Sequence, residues 1–181
     1  SLLFLSFTSS AQLLENFRNE LSKYQGSILA TKDWLLDNAS YKAQIYASGD
    51  KDELIISNGL VERTFRITPD VACVSYKNLV SGLQIVRAVN PEAIVTIDLI
   101  TYPIGGLQGR AERGYIIPGD LDKLTSFERE FQLSDIKTSE ITPYINWKPT
   151  RWCSNPSLPS EKTLSFFYSA VDNARLKDVL I

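Results

Sequence analysis

Leu54-Ile55-Ile56-Ser57-Asn58-Gly59-Leu60-Val61-Glu62-Arg63-Thr64-Phe65-Arg66-Ile67 sets an apolar run, an Asn-Gly pair and an alternating run end to end, which is the pattern of a β-hairpin. Asn58 and Gly59 accept positive φ at the least cost, and a two-residue type I′ turn needs it at both central positions. Beyond the turn, Val61, Phe65 and Ile67 fall on one face of a strand and Glu62, Thr64 and Arg66 on the other, so a half-buried strand with a polar outer side is expected. Arg63 interrupts the apolar face. It is either an edge position, where the guanidinium snorkels out over its own stem, or a contact with a ligand or partner.

Around this hairpin the composition is that of a folded globular chain. The 181 residues can bury a core without staples, and 44% hydrophobic and 22% charged residues with a net charge of −2 exclude a disordered chain. That balance offers no basic excess for nucleic acid. The sequence has no histidine, which removes the commonest metal ligand and the commonest general base together. With only Cys73 and Cys153, a structural zinc site is not expected, nor is any other metal or cofactor. The two cysteines could pair in an oxidising compartment, closing a loop worth about 4 kcal/mol on the entropic model. Alternatively, Cys73 is a small buried hydrophobe in a strand.

Methionine is also absent, so the chain is expected to be a fragment or a processed product. Residues 1–11 are apolar and end in small residues, like the remnant of a secretory signal peptide, and secretion or export is expected on that ground. The alternative is a first strand or helix start. The run is too short to span a bilayer. Residues 12–32 read as a helix and connector. Leu14, Phe17, Leu21 and Tyr24 recur at helical spacing, Gly26 is placed to end the helix, and Trp34, Leu35 and Leu36 are expected to pin the lead-in to the sheet. Asn38-Ala39-Ser40 is the one N-glycosylation sequon.

From residue 41 short strand candidates follow one another between turn residues, at 42–46, in the central hairpin, and at 71–76, 83–86, 93–97, 101–104, 136–141 and 163–169. In the last of these Leu164, Phe166 and Tyr168 alternate with Thr163, Ser165 and Phe167. This spacing predicts an all-β antiparallel β-sandwich with a short N-terminal helix, occupying residues 33–181 and continuing past an apolar Val179-Leu180-Ile181 end. Residues 105–119 read as an exposed loop, and Asp120 is placed to cap a short helical turn through Leu124.

Chemistry is sparse. Gly105, Gly106 and Gly109 lack the Lys-Ser/Thr ending of a phosphate loop. Asp120 and Asp122 sit too close on one loop to flank a scissile glycosidic bond and read as solvated turn carboxylates. No catalytic residue is therefore assigned. Tyr144, Trp147 and Trp152, among four prolines in residues 142–159, together with Tyr115, offer flat faces with polar edges that suit a carbohydrate, or else plug the end of a sandwich.

The run Asp33-Trp34-Leu35-Leu36-Asp37, the segments Ile56-Ser57-Asn58-Gly59-Leu60-Val61 and Arg63-Thr64-Phe65-Arg66, Pro91-Glu92-Ala93, Tyr102-Pro103-Ile104-Gly105-Gly106-Leu107 and the later Trp147-Lys148-Pro149 and Trp152 resemble the amino-terminal region of glycoside hydrolase family 36-type, α-galactosidase or melibiase-like, proteins. One departure is Asp98-Leu99, where an Asp-Gly turn would be expected. The resemblance implies a supersandwich-like domain preceding a catalytic (β/α)8 barrel, with both catalytic aspartates in that barrel and none here. It implies the barrel as the main partner, with homo-oligomerisation and carbohydrate contact as further expectations. Arg63, Arg110 and Arg113 are then candidates for interdomain or ligand contact. The rival expectation is a free-standing carbohydrate-binding module using the aromatic platform.

Overall fold

In the computed structural model residues 10–31, 33–36, 40–86, 89–110, 116–127, 131–141, 161–170, 176 and 180–181 are described. Among these residues the fold is all-β with one short α-helix. After α1 (Ser10–Asn19) come β1 (Ser22–Lys23), β2 (Gln44–Ala47), β3 (Glu53–Ser57), β4 (Val61–Arg66), β5 (Ala72–Asn78) and β6 (Leu83–Gln84). These six strands form one sheet in sequence order, antiparallel from β2 to β6, with β1 added parallel to β2 at the edge. Then follow the hairpin β7 (Ala93–Ile97) and β8 (Ile100–Ile104), a 3-10 helix (Pro118–Lys123), and the hairpin β9 (Phe131–Ser139) and β10 (Thr163–Ala170). Among the described residues the sheet therefore faces two separate two-stranded ribbons, and no second continuous sheet forms.

The central hairpin forms with its tip one residue further on than the I′ reading places it. Ser57 pairs with Glu62, and the Asn58 N–H donates to Val61 O at 3.2 Å, so Gly59 and Leu60 are the two turn residues. Gly59 alone takes positive φ, +81°, as the first corner of a II′-type turn requires. Asn58 acts through its side chain instead, its Oδ1 accepting the N–H groups of Leu60 and Val61, both at 2.9 Å.

Two bulges set which residues reach the core. On β5, Phe65 faces Cys73 and Thr64 faces Ser75, so Val74 is the extra residue. On β9, Leu133 faces Tyr168 and Asp135 faces Phe167, which leaves Ser134 over, its hydroxyl donating to Phe167 O at 3.0 Å. This slip lets Leu133 and Ile136 point inward together. The main core gathers Leu54, Phe65, Ile67 and Cys73 from the sheet side, Tyr102 and Ile104 from β8, Phe131, Leu133, Ile136 and Tyr168 from the last hairpin, and Leu14 from α1. Phe65 meets Phe166, and Tyr102 meets Phe131 edge to face. A second cluster of Ala72, Val74, Val89, Leu107, Leu121 and Leu124 is also buried, so β5 is covered on both sides.

The lead-in differs from the helical reading. α1 stops at Asn19, and the chain turns into the sheet edge, where β1 pairs with Tyr46 and Ala47 and the Tyr24 N–H donates to Ala47 O at 2.9 Å. Arg18, in the last turn, holds the helix down by donating to the carbonyls of Ser48, Asp50 and Glu53 in the β2–β3 turn. Tyr24 is thus a strap residue beyond the helix. The trio at residues 34–36 does not pin the lead-in. It forms an exposed turn with Leu36 at 87% exposure, its N–H groups satisfied by Asp33. The strap is fixed instead by Tyr24, Ser27 and the Ala30 N–H bond to Leu79 O.

Candidate functional site

The strand expected to turn Glu62, Thr64 and Arg66 to water buries all three. The strap at residues 24–27 and the stretch from Ile116 to Leu121 cover that side of the sheet, together lining with it a cavity of about 490 Å³. Burial of polar groups is tolerable only with partners. Glu62, at 2% exposure, has them. Its Oε2 accepts from the Tyr24 hydroxyl and from Ser27 Oγ at 2.8 Å, and its Oε1 lies 3.4 Å from Lys77 Nζ. Burial, and then the bond to the Glu62 carboxylate, push the Tyr24 phenol up to about 12. Arg66 donates from Nε to Thr68 O at 2.9 Å and from a terminal nitrogen to Asp122.

The rest of the cavity wall is mixed. Ile55, Val74, Val86, Ile116 and Leu121 supply apolar surface, and Thr64, Ser75, Gln84 and Lys77 supply polar edges. Glu53 lines it as well, and burial, followed by the nearby Asp50, raises its carboxyl above the ordinary 4.5. Sequence reasoning missed this group because period-two alternation assigns faces without saying what covers them.

On the opposite face Arg63 sits beside Phe65, with its guanidinium carbon 4.6 Å from that ring's centroid and 5.7 Å from that of Tyr76. It pairs with Glu92 at 3.0 Å, and Glu92 also accepts the Cys73 N–H at 3.2 Å. Its buried Nε has no hydrogen-bond partner among the described residues. Desolvation alone would lower the Arg63 pKa, but the adjoining Cys73 and Glu92 outweigh it and leave the guanidinium raised. Cys73 is a buried free thiol, pushed up by burial against the pull of Arg63, and Cys153 lies outside the described residues. Arg110 is half-buried just past the Gln108–Thr125 bridge. Arg113, Tyr115, Tyr144, Trp147 and Trp152 lie outside the described residues.

The loop carboxylates have structural duties. Asp122 holds Arg66, and Asp120 pairs with Lys123 at 2.6 Å. The 3-10 helix starts after Ile117 without a side-chain cap, so Asp120 lies inside it and caps nothing. The Gly-Gly pair is explained by close backbone approach. A Cβ on Gly105 would lie 2.5 Å from Val71 O and one on Gly106 2.5 Å from Pro91 N, both at positive φ. Among the described residues, no three His, Cys, Asp or Glu side chains converge as metal ligands would, and no helix is long and apolar enough to cross a membrane.

No protein-family model matches the chain, and neither does any curated protein or solved structure.

Proposed function

We propose that this chain is the non-catalytic, β-rich lead domain of an α-galactosidase-like glycoside hydrolase, exported from the cell and serving as a scaffold against which a catalytic (β/α)8 barrel packs. The observation that carries this reading is an exposed apolar edge. Ile28, at 77% exposure, and Leu29 on the strap stand out beside Val80 and Leu83 at the β5–β6 turn. The Ala30–Leu79 hydrogen bond and the 3.6 Å approach of Leu29 to the Cβ position of Gly82 bring strap and turn together. Contiguous exposed aliphatic surface suits a protein partner far better than a sugar, which asks for aromatic faces and hydrogen-bonding edges. The sequence resemblance supplies the kind of partner.

The reading frame beyond Ile181 tests the proposal. A following segment of alternating strands and helices with paired aspartates is the expected result, and a stop codon or a surface anchor would overturn it in favour of a free-standing module. Glycan-array binding by the 181-residue chain separates the same two readings. A scaffold binds no glycan, whereas a module binds one and loses it in Trp147→Ala or Trp152→Ala.

A further inference from the structure

The cavity beneath the strap carries a second inference, independent of the scaffold role. Toward its two ends lie an acidic group, Glu53, and a basic one, Lys77 beside the buried Glu62, each with only long side-chain hydrogen bonds among the described residues. At one end, among the described residues, the Glu53 carboxylate accepts a single long hydrogen bond, from Ser48 Oγ at 3.4 Å. Arg66 stands opposite Glu53 across the β3–β4 ladder, but its donors go to Asp122 and Thr68 O. Arg18 is nearby and spends its donors on backbone carbonyls. At the other end the Lys77 side chain is 40% exposed, and its Nζ reaches Ser27 Oγ and Glu62 Oε1 only at 3.4 Å. Glu62 already takes stronger hydrogen bonds from Tyr24 and Ser27, so Lys77 retains donor capacity toward the cavity.

The register fixes the span between the ends. Glu53 pairs with Arg66 and Lys77 with Glu62, four residues apart along β4 and two strands apart across the sheet. That is about 13 Å along and about 10 Å across, before the two side chains reach inward. The wall between them includes Ile55 and Val74. We propose that the cavity binds a linear zwitterion of the ω-amino acid type, with its ammonium on Glu53, its carboxylate on Lys77 and its methylenes over Ile55 and Val74. A ligand with one charge would engage only one end, and each end offers a charge-assisted hydrogen bond in a partly desolvated site.

Calorimetric titration of the 181-residue chain with 6-aminohexanoate, hexanoate and hexylamine tests this. Saturable binding of the zwitterion is expected, with each singly charged analogue weaker by about tenfold or more, the loss of one charge-assisted bond. Glu53→Gln should weaken the zwitterion by a similar factor and leave hexanoate unchanged, while Lys77→Gln should weaken it and leave hexylamine unchanged. Methyl resonances of Ile55 and Val74 should shift on saturation with the zwitterion. Equal affinity for the three probes, an indifferent Glu53→Gln, or no binding with unshifted methyls would each overturn the proposal. Should Lys77→Gln fail to fold, the three-probe comparison and Glu53→Gln decide by themselves.

Discussion

At the scale of single residues, the Tyr24–Glu62 contact links stability to pH in the alkaline range. A phenol in the unfolded chain titrates near 10, and in the fold burial and the Glu62 bond move it up to about 12. Between those values the folded state keeps a proton that the unfolded state has released. The contribution is therefore fully present below pH 10 and is lost as pH rises toward about 12. The unfolding free energy in urea should fall across that window more steeply for the parent chain than for Tyr24→Phe, and the difference between the two curves cancels the lysines. At neutral pH Tyr24→Phe should itself cost about 1–3 kcal/mol, because Glu62 remains buried and loses a donor. A flat difference curve would mean that Tyr24 does not hold Glu62. None of this was visible in the alternation of Glu62, Thr64 and Arg66. The Glu62 carboxylate and the Arg66–Asp122 pair are satisfied by residues 15–56 positions away, and pattern reading has no access to contacts at that range.

At the scale of elements, the hairpins show which local rules outweigh others. The β7–β8 turn lacks the glycine that the family resemblance led one to expect, yet Ile97 pairs with Ile100 across a two-residue loop. Asp98 and Leu99 adopt φ of +49° and +69°, with Leu99 97% exposed. The strain is outweighed by five cross-strand pairs and by the anchoring of Tyr102 and Ile104 in the core. Leu99→Gly should therefore stabilise the fold by roughly 0.5–1 kcal/mol, since relief of left-handed strain exceeds the extra entropy glycine brings to the unfolded chain. A thermal melt reads this as a rise of about 1–4 °C. A lower midpoint would show that the strain is not held in the folded state. The strands themselves were legible, because period-two patterning around Val61, Phe65, Leu164 and Phe166 survives wherever one face meets the core. The exact turn at Gly59 and Leu60 was not, because Asn58 satisfies the loop through its side chain and needs no positive φ of its own.

At the scale of the whole molecule, hydrophobicity alone misplaced two features. Trp34, Leu35 and Leu36 read as a buried anchor and stand exposed, while the true anchors of the lead-in are a phenol, a serine and an arginine. Leu14, one member of a run whose spacing was extended too far to Tyr24, is the described α1 residue fully buried in the main core, with Phe17 packed partly buried against it. It is 2% exposed and packs in the same cluster as the sheet, β8 and the β9–β10 hairpin. A helix seated in that shared core cannot be lost without opening the rest, so the described parts should unfold as one cooperative unit. Leu14→Ala should then cost about 2–5 kcal/mol, the transfer term plus the cavity it leaves. In guanidinium titrations followed by far-ultraviolet dichroism and by tyrosine fluorescence, both midpoints should move down together and stay coincident. If α1 were only an appendage, Leu14→Ala would reduce the helical signal and leave the sheet's midpoint where it was.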